Sequence, residues 1–415
     1  MGISLDFLGG GIAPIQSISE DNMQSQNQQN IKFNNTKLVL KIIKDNYNAD
    51  ISRADIAKIT HMSATSISRI VDILISESLV KEGAYVNSDR VGRKGTGLKA
   101  NDDGLITAGV SIDSDNVSMC IMDFSDRIIA SRTIALEYRP YEPEEILNLI
   151  GSMYRFLCLE IPYAKEQIES VGISCIGNID YKKNIIYFAP QFGWSNIDFG
   201  ERAGHIFQKP IFMENDIKAA IMSLVHQEKK YLKEDVTYLS IGTGVGSATM
   251  FQGKIARGNN NAFGEVGHVI IQPKGRKCDC GQRGCVQTTL TRNSLIEECR
   301  EEGHNITRVE QIYELYRSKT DWTVKLIDKT AGDLAVLIRN LVYMYNTNYI
   351  LIGGAMIMDF PELFELAKEK LTGLIHTNLL SDLNIIRVKT RNNSMAGAAF
   401  IAQANSMHER LLEMV

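Results

Sequence analysis

Near Leu105 the chain changes its hydrophobic texture, and the change divides it into two modules. Upstream, apolar residues recur at helical spacing: Leu38, Val39, Ile42 and Ile43 share one face of a segment that begins near Asn34. A second helix is predicted over Arg53–Thr60, with Ser52 as N-cap and Asp55 at the capping-box position. A third starts at Ser63, and Ile67, Ile70, Val71, Leu74 and Ile75 make its buried stripe. Residues 79–86 read as a strand, 87–97 as a polar loop with three basic residues, and 98–100 as the returning strand. Three helices followed by a basic hairpin predict a winged helix-turn-helix over residues 31–100. Residues 1–30, rich in Gly, Gln, Asn and Ser, are expected to form a flexible tail.

Downstream the pattern is α/β. Strands over 106–112, 117–123 and 127–136 predict a three-stranded meander, followed by a helix over 144–160 and an apolar strand at 171–175. Further strands fit 211–213, 236–241, 246–251 and 349–352, and long helical patterns cover 323–346 and 361–372. A meander with crossover helices, occurring in two halves, predicts two α/β lobes around a cleft within residues 101–415. At 415 residues the chain is long enough to bury more than one core.

The net charge of −4 does not by itself suggest a nucleic-acid partner, but its distribution does. Residues 31–100 carry 12 Lys and Arg against 7 Asp and Glu, whereas residues 101–415 carry 33 against 39. A basic module ahead of an acidic body fits a chain in which one end meets phosphates. In the third helix Ser63, Thr65, Ser66, Ser68 and Arg69 would face base edges in a major groove. Arg90, Arg93 and Lys94, in the wing, would reach backbone or an adjacent minor groove.

Four of the seven cysteines, Cys120, Cys158, Cys175 and Cys299, are scattered, which suits a reducing compartment better than a disulfide framework. No apolar run approaches the ~20 residues that span a bilayer, and no signal-peptide pattern opens the chain. A cytoplasmic location away from membranes is the expectation. The other three cysteines crowd together. His268, Cys278, Cys280 and Cys285, in GHVIIQPKGRKCDCGQRGC, make a complete tetrahedral set for a structural zinc ion with no open position.

Two more motifs point to a ligand cleft. A predicted strand runs into Gly242-Thr243-Gly244, a glycine-rich loop of the kind that offers N–H groups to phosphate. Asn215 and Asp216 lie at a strand tip in Met213-Glu-Asn-Asp216, and Glu265 precedes His268 in Gly264-Glu-Val-Gly-His268.

Taken together, these residues resemble the ROK family (repressors, open reading frames and sugar kinases), and within it the NagC/XylR/Mlc-type transcriptional repressors. The resemblance covers roughly residues 31–405 and is most specific at Glu265–His268 and the CDCGQRGC run. It implies an actin-like (ribonuclease H-like), two-lobed sugar-kinase fold behind the winged helix-turn-helix, with a sugar in the cleft. By position, Gly177, Gln191, Asn215, Asp216, Glu265, His268 and Gln287 would line the sugar site, with zinc held through one His268 nitrogen.

The departures from the family pattern bear on activity. The kinases' Asp-x-Gly-Gly-Thr phosphate loop is here Ser111-Ile-Asp-Ser-Asp115, without either glycine and with acids where ATP would sit. Kinase activity is therefore expected to be lost, which leaves no working catalytic residue and Asp216 as a vestigial base. Gln287 stands where a sugar-binding Glu is usual, and Gln191 where an Asn precedes Trp194, which leaves open an effector other than glucose or N-acetylhexosamines, a weaker-binding one, or a partner protein in its place. The resemblance further implies operator DNA as partner, a sugar or sugar derivative as effector, and a homodimer or tetramer. Two alternatives stay open: an active sugar kinase with a fused DNA-binding domain, and a repressor controlled by a phosphotransferase-system protein.

Overall fold

Short polar caps begin the small helices of the N-terminal module. In the computed structural model, which describes residues 20–47, 50–86, 95–137, 139–161 and 164–414, Ser52 Oγ accepts from the Asp55 N–H at 3.2 Å to start helix Arg53–Thr60. Ser63 Oγ accepts from Ser66 N–H at 3.1 Å to start helix Ala64–Ser76. Strands Val80–Val86 and Gly95–Ala100 form an antiparallel hairpin, and Ile51–Ser52 adds a short third strand on the Gly95–Ala100 edge. The loop with Arg90, Arg93 and Lys94 lies outside the described residues.

The first helix runs Glu20–Asp45, so residues 20–30 are helical and not tail. No Gly or Pro occurs between Pro14 and Gly83, and a helix nucleated by the packed Val39–Ile43 turn extends at little cost through Gln, Asn and Met.

Residues 31–100 do not close their own core. Val39, Ile43, Ile56, Ile67, Val71 and Leu74 pack with Leu105, Phe124 and Leu411 in one buried cluster. Residue 100 thus marks a change of secondary structure without being a packing boundary. One unit comprises the described chain up to Cys175, then Tyr181–Glu214 and the chain from Ala398 onward; the other comprises Ile176–Asp180 and Asn215–Gly397.

The first unit contains a five-stranded sheet in the spatial order Ile128–Ala135, Asn116–Met122, Ile106–Ile112, Ile168–Cys175, Ile211–Asn215. Its first three strands are antiparallel, and Ile168–Cys175 is parallel to Ile106–Ile112, with Gly109 opposite both Cys120 and Gly172. Every residue of Ile106–Ile112 is buried, as a strand covered on both faces requires. Part of that cover is the final helix, whose Ala399 carbonyl accepts from Thr107 Oγ1 at 3.1 Å and whose Ser406 shares a hydroxyl contact with Ser170 at 2.5 Å.

The second unit repeats the arrangement: Lys254–Ile255, Val245–Phe251, Val236–Ile241, Tyr349–Gly353, Asn384–Arg387. Val236–Ile241 pairs antiparallel with Val245–Phe251 and parallel with Tyr349–Gly353. Helices Arg292–Glu301, Val309–Arg317, Asp321–Tyr345 and Glu362–Leu371 bury Leu295, Ile312, Leu334, Ile338 and Phe364 with Leu239, Ile241 and Ile352 of this sheet. In each unit a meander of three antiparallel strands is continued by two more, the first of them parallel to its meander neighbour, as in the actin-like topology. Among the described residues no helix is long and apolar enough to cross a membrane.

Candidate metal centre and effector site

The metal ligands are gathered by a short segment with little regular structure. Residues Val266–His268 form a single 3₁₀ turn, and two isolated antiparallel bridges, Ile270 with Cys285 and Lys277 with Arg283, fold the loop back on itself. Gly284 allows that return: its φ is +75°, and a Cβ there would sit 1.6 Å from the Gln272 carbonyl oxygen. Arg276 ties the loop to the following helix, donating to the Ser294 carbonyl at 2.9 Å and to Glu298 at 3.1 Å.

The result is a cluster in which the ligand atoms of His268, Cys278, Cys280 and Cys285 all lie within 4.8 Å of one another. Cys278 Sγ is 3.7 Å from His268 Nδ1, and Cys280 Sγ is 3.6 Å from Cys285 Sγ. Around a tetrahedral ion with metal–sulfur bonds of ~2.3 Å, neighbouring sulfurs fall roughly 3.8 Å apart, so the donor set fits zinc. The backbone N–H of Gln282 pulls the exposed Cys280 thiol down to about 7, whereas burial pushes Cys285 up to about 12. Gln287, in the 3₁₀ turn Val286–Thr288 next to Cys285, directs its amide Nε2 at Cys278 Sγ, 3.4 Å away.

Asn215 is the N-cap of a helix. Its Oδ1 accepts from the Ile217 and Lys218 N–H groups, both at 3.1 Å, capping helix Asp216–Gln227. Its Nδ2 donates to the Gly177 carbonyl at 3.0 Å and to Asp216 Oδ1 at 2.9 Å. Through these bonds Asn215 ties the strand tip to Gly177 and to the Asp216 carboxylate. Asp216 is half-buried at the first turn of that helix, and Glu265 is exposed one turn before His268. These residues share one unit; Gln191 is exposed in the other, beside the stacked Phe192 and Trp194 rings.

Both stretches compared with phosphate loops are turns between adjacent antiparallel strands. Gly242 and Gly244 close the turn between Val236–Ile241 and Val245–Phe251, with the Gly242 N–H donating to the Gly244 carbonyl at 2.9 Å. That N–H is therefore not available to a phosphate. In the turn after Ile106–Ile112, Asp113 Oδ1 accepts from the Ser114 N–H at 2.6 Å, and its own N–H reaches the Asn116 carbonyl at 2.9 Å. The acids of this stretch serve a hairpin turn.

At the start of helix Ala64–Ser76, Ser63 and Ser66 are tied to each other by the cap, with their hydroxyls 2.8 Å apart. They are helix-start residues first. Ser68 is half-buried, and Thr65 and Arg69 are exposed. Arg69 makes no hydrogen bond or ion pair among the described residues. Sequence reading missed Arg53, which forks between Asp72 of this helix at 3.1 Å and Glu82 of the hairpin at 3.2 Å. It also missed Lys218, buried in the Asp216 helix with Nζ donating to the Asn261 carbonyl at 2.9 Å. A lone Lys within the small and apolar run Ile217–Val225 is the signal that marks it.

With this geometry in place, the comparisons are specific. The ROK family model matches residues 107–405. The chain belongs to the ROK family. The xylose repressor of Bacillus spizizenii is 24% identical over 397 residues, which covers 95% of this chain and all of that protein. A Thermotoga maritima glucokinase is also 24% identical, but over 237 residues, 53% of this chain and 74% of the enzyme. Among solved structures, a ROK family transcriptional regulator described as a homolog of the Escherichia coli MLC protein superposes with a TM-score of 0.77. It is 20% identical and covers 92% of this chain and 98% of its own. That likeness fixes the fold: an N-terminal helical module and a ROK body.

Proposed function

We propose that this ROK protein is a transcriptional repressor of carbohydrate genes whose operator affinity falls when a sugar or sugar derivative binds. The observation that carries the reading is Arg69, exposed and unengaged among the described residues on a capped helix of a winged module. An arginine presented in this way can donate to guanine or phosphate without breaking an internal bond. The reading is supported by the repressor match, which extends over 95% of the chain where the glucokinase match covers 53%.

Sugar recognition is assigned to Asp216, Glu265 and His268, with Gly177 and Asn215 as the frame that holds Asp216. Zinc bound by His268, Cys278, Cys280 and Cys285 would brace this side of the pocket by fixing the His268 ring. Kinase activity is absent in this reading, because the Ser111–Asp115 turn is closed on its own acids and supplies no cradle for a triphosphate. The working form is a homo-oligomer on operator DNA in the reducing cytoplasm, where the seven cysteines stay out of disulfides.

An effector acts only through different affinities for DNA-competent and incompetent forms. The test is fluorescence anisotropy with fragments of the chain's own upstream region, repeated with a sugar panel that starts from xylose. Binding that one sugar releases, with no ATP consumed, is the expected result. Sugar-dependent ATP turnover would instead establish the kinase.

A further inference from the structure

We infer that Gln287 is a positioning residue of the metal centre: its amide N–H donates to the Cys278 thiolate and holds that ligand against the His268 turn. This rests on the zinc reading above and goes beyond it, because Gln287 was expected only at the sugar.

Cys278 is 3% exposed, so a thiolate there is cut off from water and needs donors. Gln287 Nε2 reaches it at 3.4 Å, an ordinary N–H···S distance. The main chain beneath the side chain is pinned, since Thr291 Oγ1 donates to the Gln287 carbonyl at 3.2 Å and Thr288 N–H to Cys285 at 2.9 Å. The other end of the amide is confined too. A Cβ built on Gly267, the residue before His268, would come within 3.3 Å of Gln287 Oε1. The amide therefore lies between the segments that supply two of the four ligands, its N–H toward Cys278 and its carbonyl toward the His268 turn.

The chemistry selects an amide. Glutamate has the same shape but only accepts hydrogen bonds, and it would set a further negative charge against three thiolates. Glutamine supplies a neutral donor on one side and keeps one acceptor, Oε1, on the other. A metal-loaded Cys278 thus fixes which face of Gln287 remains for a sugar hydroxyl.

The experiment uses the full chain, stripped with chelator and reloaded with Co²⁺ or Zn²⁺. Wild type should bind one ion with a thiolate-to-cobalt charge-transfer band. Gln287→Glu and Gln287→Met should bind zinc about 10–100-fold more weakly in competition with a chromophoric chelator, the range for lost outer hydrogen bonds. At saturating cobalt their charge-transfer band should move to lower energy, because a thiolate without its hydrogen bond is a stronger electron donor. General loss of structure would abolish the band without shifting it. The isosteric Gln287→Glu carries the test even where Gln287→Met fails to fold. Variants that bind zinc within about twofold of wild type, with unshifted bands, overturn the inference while leaving the zinc reading intact. A wild type without the band removes the zinc reading and this inference together.

Discussion

Lys44, on the first helix, donates to Gln403, on the last, at 2.9 Å, although 359 residues separate them. The same Nζ pairs with Asp126 at 3.1 Å and sits 4.3 Å from the centre of the Phe124 ring, and Gln403 donates onward to the Asp123 carbonyl at 2.9 Å. Phe33 meets His408 edge-on nearby, and Arg410 binds both the Gly104 carbonyl and Glu169. The C-terminal helix is therefore a structural part of the N-terminal module.

Leu411 and Leu412 separate that role cleanly. Leu411 is 1% exposed in the core with Val39, Ile43 and Leu74, whereas Leu412 is 53% exposed. Leu411→Ala should destabilise the protein by about 2–5 kcal/mol, the usual cost of a buried leucine cavity. Leu412→Ala should stay within about 0.5 kcal/mol of wild type. Urea unfolding of the two variants checks this; equal losses would mean that the helix end does not pack into the module.

Contact with DNA and helix capping should also come apart. Arg69→Ala should weaken operator binding by about 1–3 kcal/mol without moving the melting temperature. Ser63→Ala should cost about 1 kcal/mol of stability through the lost cap and affect affinity less. Anisotropy titrations and thermal melts on the same preparations distinguish them.

At the strand tip, Asn215→Ala should lower stability by about 0.5–2 kcal/mol, because Asn215 caps a helix. Asp216→Asn should melt close to wild type yet lose the stabilisation that a bound sugar confers by mass action. A thermal-shift series with the effector gives both values. Unaltered sugar stabilisation in Asp216→Asn would remove this carboxylate from the site.

The thiols of the metal centre should react in a set order. In metal-free protein near pH 7, iodoacetamide should modify the exposed Cys280, lowered to about 7, long before the buried Cys285, raised to about 12. The thiolate is the nucleophile, so Cys280 labelling should accelerate as pH rises through about 7 and then level off. Added zinc should block it, and Cys280→Ser should bind metal weakly. Peptide mass spectrometry reads the labelling, and competition with a chromophoric chelator reads the metal affinity of Cys280→Ser.

Local chemistry determined a great deal of this protein by itself. The Ser52 and Ser63 caps, the strand at 236–241, the departure at Ser111–Asp115 and the His268–Cys285 ligand set are all legible in the sequence. Each depends on residues close together in the chain, where spacing dictates geometry. Tertiary structure decided the rest. What the Asn215 amide N–H meets is the Gly177 carbonyl, 38 residues away. Whether Gln287 points to a ligand or to Cys278 depends on how the loop folds back at Gly284. The N-terminal module closes its core with Leu411, more than 300 residues beyond its hairpin, and no periodicity within residues 31–100 encodes a partner that only the folded chain brings there.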